Sequence, residues 1–126
     1  MNKITEFAWN ITAFEGFENG TASVTNRNPG NLRFNAYTES LGATVASPAG
    51  FARFPSFQVG FQALVQFLTD AANGKNSSYK AEMTITEFFA VFAPSSDDNN
   101  PNSYAATVCT RMGIPLTTTL SFLLSD

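Results

Sequence analysis

The chain contains no histidine. That absence removes Ser-His-Asp and Cys-His nucleophilic systems, and every metal site that relies on imidazole. There is one cysteine, Cys109, so no disulfide can close within the chain and thiol pairing says nothing about compartment. Charge is scarce too. Only 13% of the 126 residues are Asp, Glu, Lys or Arg, where about 25% is usual, so Asn, Ser and Thr supply much of the polar surface. The net charge of −3 offers nucleic acid or an anionic membrane no general attraction. No run approaches the ~20 apolar residues of a membrane span. The opening "MNKITEFAWNITAF" has no unbroken apolar stretch followed by a small-residue cleavage site, so it does not read as a signal peptide. Synthesis in the cytoplasm, no membrane insertion and no nucleic-acid partner are the expectations.

What is present fits a folded domain. With 44% hydrophobic residues, thirteen of them Phe, the chain can bury a core as one domain spanning 1–126 without staples. A neutral, hydroxyl-rich ligand suits its composition.

Ile4, Phe7, Ala8, Ile11 and Phe14 recur at helical spacing and predict a helix from about Lys3 to Glu15, with Asn2 as N-cap and Gly16 as stop. From Gly20 to Gly50 the composition turns to Asn, Thr, Ser and Gly. "NRNPGNLRF" reads as a turn leading into a short extended segment, and "GATVA" and "GFARF" as strands of a two- or three-stranded sheet. Ser56 can cap a long helix with Phe57, Phe61, Leu64, Val65, Leu68, Ala71 and Ala72 on one face, ended by Gly74. "TITE" at 84–87 is a capping box for a helix bearing Ile85, Phe88, Phe89 and Phe92, with Pro94 beyond its end. Asn100 and Pro101 place an N-cap and an N1 proline before a helix striped by Tyr104, Ala105, Val108, Cys109 and Met112, closed by Gly113. A last helix is expected at about Thr118 to Leu124, with Leu120, Leu123 and Leu124 in line. The fold class is α+β and mainly helical: a helix, a small sheet, then four helices.

One charge stands out. In "TAFEGFENG", Glu15 follows Ile11 by four residues, which places it at the edge of the apolar stripe. It also falls in the last helical turn, whose negative end disfavours a carboxylate. Partial burial and the helix end both raise its pKa, and a carboxyl that stays protonated near neutral pH can act as general acid on a glycosidic bond. A solvated glutamate at a helix end is the plainer alternative.

"FEGF", then "NRNPGNLRF", "GFARFPSFQVGFQAL" and "FAPSSDDNNPNSYAATV", resemble in their order the lysozyme-like superfamily, in a phage-type peptidoglycan-cleaving branch, and also the lytic transglycosylases. The resemblance runs from about Thr12 to Gly113. It implies a lysozyme-like fold with a β-insert after the first helix, and a glycosidase cutting the MurNAc–GlcNAc β-1,4 bond of peptidoglycan glycan strands. It carries Glu15 over as the catalytic acid, Asn31 as a substrate contact and Tyr104 as a cleft residue. Phe92 stands where a transglycosylase tyrosine is expected, and Pro101 interrupts the late motif. The resemblance implies no cofactor and no metal, a monomer, and action on the cell wall after release or within a phage particle.

Each supporting residue has a plainer role. Asn31 can simply shape the turn, and Tyr104 can simply pack. Arg33 and Arg53 can pair across the sheet, meet peptide carboxylates of the wall, or, as exposed strand arginines more often do, simply stand in solvent. Trp9 can be a core edge or a sugar-stacking platform. "SSDDNN" reads as a solvated loop, because a calcium loop needs a denser set of oxygen ligands. A second carboxylate would come from Glu18, Glu39, Asp97 or Asp98: Glu39 by the lysozyme comparison, Asp98 by the transglycosylase one. A lytic mechanism, closing an anhydro ring with Glu15 alone, needs none of them. The alternative of another class is a non-catalytic peptidoglycan-binding or virion structural module that keeps the fold without turnover.

Overall fold

The computed structural model describes residues 2–14, 22–94 and 100–125. By contact it divides into two compact units, one made of Met1–Asn10 with Leu68–Asp126, the other of Ile11–Phe67. The first helix, α1, is Lys3–Phe14. Asn2 caps it as expected, accepting the Thr5 N–H on Oδ1 at 2.9 Å. Ile4, Phe7, Ala8 and Ile11 are buried, each contributing about 1.5–3 kcal/mol for the larger side chains. Phe14 departs from the stripe at 37% exposure. The expected stop, Gly16, lies outside the described residues.

The unit Ile11–Phe67 holds two short helices that periodicity did not reveal, α2 at Ala22–Thr25 and α3 at Ala36–Ser40. Asn35 starts α3 through a capping box, its side chain accepting from the Thr38 N–H while Thr38 Oγ1 accepts from the Asn35 N–H. That box turns the chain out of the extended path that "NLRF" begins. The sheet is therefore small. Strands β1 (Val45–Ala46) and β2 (Ala52–Arg53) pair antiparallel, Val45 opposite Arg53 and Ala46 opposite Ala52. The third expected strand is reduced to one bridge, Arg33 to Phe51. A turn at 47–50 joins β1 to β2, closed by Gly50 N–H to Ser47 O at 2.9 Å. Beneath the hairpin, Ala43, Ala52, Phe54 and Ala63 form a core against which Phe34, Leu41 and Val59 pack.

Helix α4, Phe57–Ala72, crosses from this unit into the other. Ser56 caps it, taking the Val59 N–H on Oγ at 3.2 Å. In the second unit α5 (Ile85–Phe92) opens with the Thr84–Glu87 capping box. Helix α6 (Pro101–Met112) opens with Asn100 accepting the Ser103 N–H at 3.1 Å. Gly113 ends α6 at φ 69°, a left-handed position that lets the Ile114 N–H return to Cys109 O at 3.0 Å. Phe7, Phe88, Phe89 and Tyr104 stack into the core of this unit.

The expected last helix needs correcting. Only Ser121–Leu124 coil, as a 3₁₀ turn. Thr118 and Thr119 are extended instead, because the residues ahead of α5 offer them partners. Thr119 bridges Thr84, the Ile85 N–H donates to Thr118 O at 2.9 Å, and the Leu120 N–H donates to Met83 O at 2.8 Å. Leu120 and Leu123 are buried as expected, but Leu124 is exposed.

The protein is thus mainly helical with a small two-stranded antiparallel sheet. Among the described residues no helix is long and apolar enough to cross a membrane.

Candidate functional site

Within Ile11–Phe67, the segment "NRNPGNLRF" is tied down by two buried asparagines. Asn28 is fully buried. Its Nδ2 donates to Leu32 O and Ala52 O, both at 2.9 Å, while its Oδ1 accepts the Leu32 N–H at 2.9 Å. Asn26, also buried, accepts the Phe54 N–H on its carbonyl and the Arg53 Nε–H on Oδ1, each at 2.9 Å. Backbone and side chain together stitch the turn to β2. Neither asparagine was singled out from sequence. "N-x-N-P-G-N" marks a turn, and nothing local says that two of its amides are buried.

The same turn holds two non-glycine residues in the left-handed region, Arg27 at φ 52° and Asn31 at φ 53°. Asn tolerates that conformation better than other side chains, and the Asn31 N–H donates to Asn28 O at 2.9 Å to close the turn. This is the turn-shaping role expected of it. Asn31 also carries a feature that turn-shaping does not require. Its Oδ1 is buried and has no hydrogen-bond partner among the described residues. A buried acceptor without a donor costs about 1–3 kcal/mol, so such atoms are rare in native structures.

Arg33 lies two residues on and is exposed. Its guanidinium carbon sits 4.4 Å from the centroid of the Phe51 ring, and Nη1 donates to Ala49 O at 3.3 Å. Ring and carbonyl hold the charged end against the hairpin. Arg53, by contrast, is engaged by Asn26. Pairing across the sheet was one of the roles open to these two arginines, and the contacts named here go to different partners.

Glu39 is exposed, on α3 rather than on a strand. It shares a unit with Asn31 and Arg33. Tyr104 belongs to the other unit and is 1% exposed, stacked on Phe89 with ring centroids 4.3 Å apart and Phe92 edge-on at 6.4 Å. Its role is packing. A ring so enclosed offers a glycan strand no surface. Trp9, at 42% exposure, stands at the surface of α1. Glu15, Glu18, Asp97 and Asp98 lie outside the described residues, as does most of "SSDDNN".

Other reactive side chains are unpromising. Burial pushes the Cys109 thiol up, and its Sγ points to Pro115 O at 3.8 Å, so it is a poor thiolate. Burial likewise pushes the Tyr79 hydroxyl up to about 12, which keeps it protonated. Among the described residues no three His, Cys, Asp or Glu side chains converge as metal ligands.

No family model matches the chain, and neither a curated protein nor a solved structure matches it significantly.

Proposed function

We propose that this chain cleaves the MurNAc–GlcNAc β-1,4 bond of peptidoglycan, with Glu15 as general acid. The observation that carries the reading is the position of that residue: α1 is helical through Phe14, and Glu15 is the next residue in the chain. Two short helices, α2 and α3, then the small sheet and helices α4 to α6 follow in sequence, so a sheet does lie between the first helix and the later ones.

In this reading the Glu15 carboxyl gives its proton to the glycosidic oxygen as the bond to the anomeric carbon breaks. The resulting carboxylate then takes a proton from the hydroxyl that attacks the oxocarbenium carbon. Water as attacker leaves a reducing end. The muramyl 6-hydroxyl as attacker leaves an anhydro ring. Asn31 and Arg33 serve as contacts to the strand, Arg33 to the carboxylates of its peptides. Glu39 and Asp98 are the candidate partners where water is the attacker. The protein meets its substrate in the cell wall, after release from the cell or as part of a phage particle.

The test is Glu15→Gln assayed on purified cell walls. The substitution keeps size and removes the proton donor, so release of soluble fragments should fall at least ~10²-fold with the melting temperature unchanged. Near-parental turnover would sink the assignment. Walls bound without any release by the parent chain would favour a non-catalytic binding module instead.

A further inference from the structure

We propose that the outer face of the β1–β2 hairpin is an oxyanion-binding surface anchored by Arg53, whose two Nη groups take a carboxylate or a phosphate as a fork. The face follows from the ladder. Val45 stands opposite Arg53, and Arg33 stands opposite Phe51. Residues opposite each other, and residues two apart on one strand, point the same way. Val45, Phe51, Arg53 and Arg33 therefore share one side of the small sheet. Leu32 and Ala52, which alternate with them, are buried on the other side. The shared side meets solvent, since Val45 is 51% exposed and Arg33 is exposed as well.

The hydrogen bonding of Arg53 leaves its forked edge open. Its Nε–H donates to Oδ1 of the buried Asn26 at 2.9 Å, which is its one side-chain bond among the described residues. Neither Nη group has a partner there, yet neither is a buried orphan, so both reach the surface. An Nε held by a buried amide fixes the plane of the guanidinium. The Nη1–Nη2 edge, pre-set in this way, matches two oxygens of a carboxylate or phosphate. The position directly opposite, where a carboxylate would neutralise Arg53 within the chain, is taken by the exposed Val45. Arg33 lies diagonally across the ladder, within reach of a long side chain, its charge held 4.4 Å from the Phe51 ring centroid. The local charge balance agrees. Among the described residues of Ile11–Phe67 the charged side chains are Arg27, Arg33, Arg53 and Glu39, an excess of cations in a chain of net charge −3.

The experiment is an NMR titration of the full chain at low salt, following the backbone amides of Arg33, Val45 and Arg53. The probes are N-acetyl-L-alanyl-D-glutamate, its diamide and inorganic phosphate. Only the choice of the dipeptide, a fragment of the stem peptides of the wall, rests on the peptidoglycan reading. Saturable shifts at these amides are expected with the dipeptide or phosphate and not with the diamide. Arg53→Gln should raise the dissociation constant at least about fivefold. Because that variant also loses the Asn26 bond, Val45→Glu supplies an independent check. Its carboxylate, opposite Arg53, should occupy the fork, raising the melting temperature and weakening the anion to a similar degree, while Val45→Gln changes neither. Absence of hairpin shifts with both anions would overturn the inference, and so would shifts that the diamide reproduces. Parental affinity in Arg53→Gln or in Val45→Glu would overturn it too. Binding of phosphate alone supports the oxyanion face and rules out stem-peptide carboxylates as its ligand. None of these results alters the Glu15→Gln assay, so the peptidoglycan reading stands or falls separately.

Discussion

Gly60, in the first turn of α4, lies against the backbone carbonyl of Arg27 so closely that a Cβ on Gly60 would collide with the oxygen. Arg27 is itself left-handed, at the start of the turn that carries Asn28 and Asn31. The glycine is what lets the helix and this turn approach. Replacing it with alanine would ordinarily stabilise a helix by about 0.8–1 kcal/mol. Here the obstacle is backbone, and overpacking of this kind costs about 1–3 kcal/mol. Gly60→Ala should therefore lower stability in denaturant titration. A stabilised variant would show that the close approach does not matter.

Tyr104 stacks on Phe89 inside a cluster of rings. Truncation to alanine removes a nearly fully buried aromatic and leaves a cavity that its neighbours fill only in part. By comparison with other buried aromatics the cost is about 3–5 kcal/mol. Chemical denaturation of Tyr104→Ala should show a loss in that range. A loss well below 1 kcal/mol would return Tyr104 to the surface and reopen a role in substrate contact.

The Thr84 backbone and hydroxyl, both hydrogen-bonded to the exposed Glu87 carboxylate, lower its pKa from the ordinary 4.5. A depressed folded value means the ionised form is favoured by folding. Its contribution is present above 4.5 and is lost as pH falls through the lower folded value. Glu87→Gln should flatten that part of the acid-side decline in melting temperature. Parallel pH profiles for parent and variant below 4.5 would remove Glu87 from the cap.

Glu39 is exposed on α3. Glu39→Gln should keep the fold and much of the wall-cleaving activity, and so should Asp98→Asn, with products ending in anhydro-muramyl groups. The products are read by mass spectrometry, because anhydro and reducing ends differ by one water. A loss at Glu39 matching that of Glu15→Gln, with reducing ends, would make it the partner carboxylate of a hydrolytic mechanism.

Local chemistry was legible in the sequence wherever a hydrogen bond closes within a few residues. Asn2, Thr84 with Glu87, and Asn100 with Pro101 each start a helix where their side chains said one would start, and Gly113 ends one. The apolar stripes of α1, α4, α5 and α6 were readable for the same reason, since helical spacing puts their buried residues on one face. Remote partners decided the rest. Thr118 and Thr119 leave the helical path because Thr84 and Ile85, far back in the chain, pair with them. The third strand shrinks to a bridge because the Asn35–Thr38 box captures the chain first. Arg53 holds Asn26 rather than Arg33's company, and Tyr104 packs rather than faces a ligand, because neighbours distant in sequence surround each side chain. No window of sequence shows that Asn28 is buried and fully bonded while Asn31 keeps an oxygen with no partner among the described residues. The same residue type in the same turn meets two environments, and only the surrounding chain sets the cost of each.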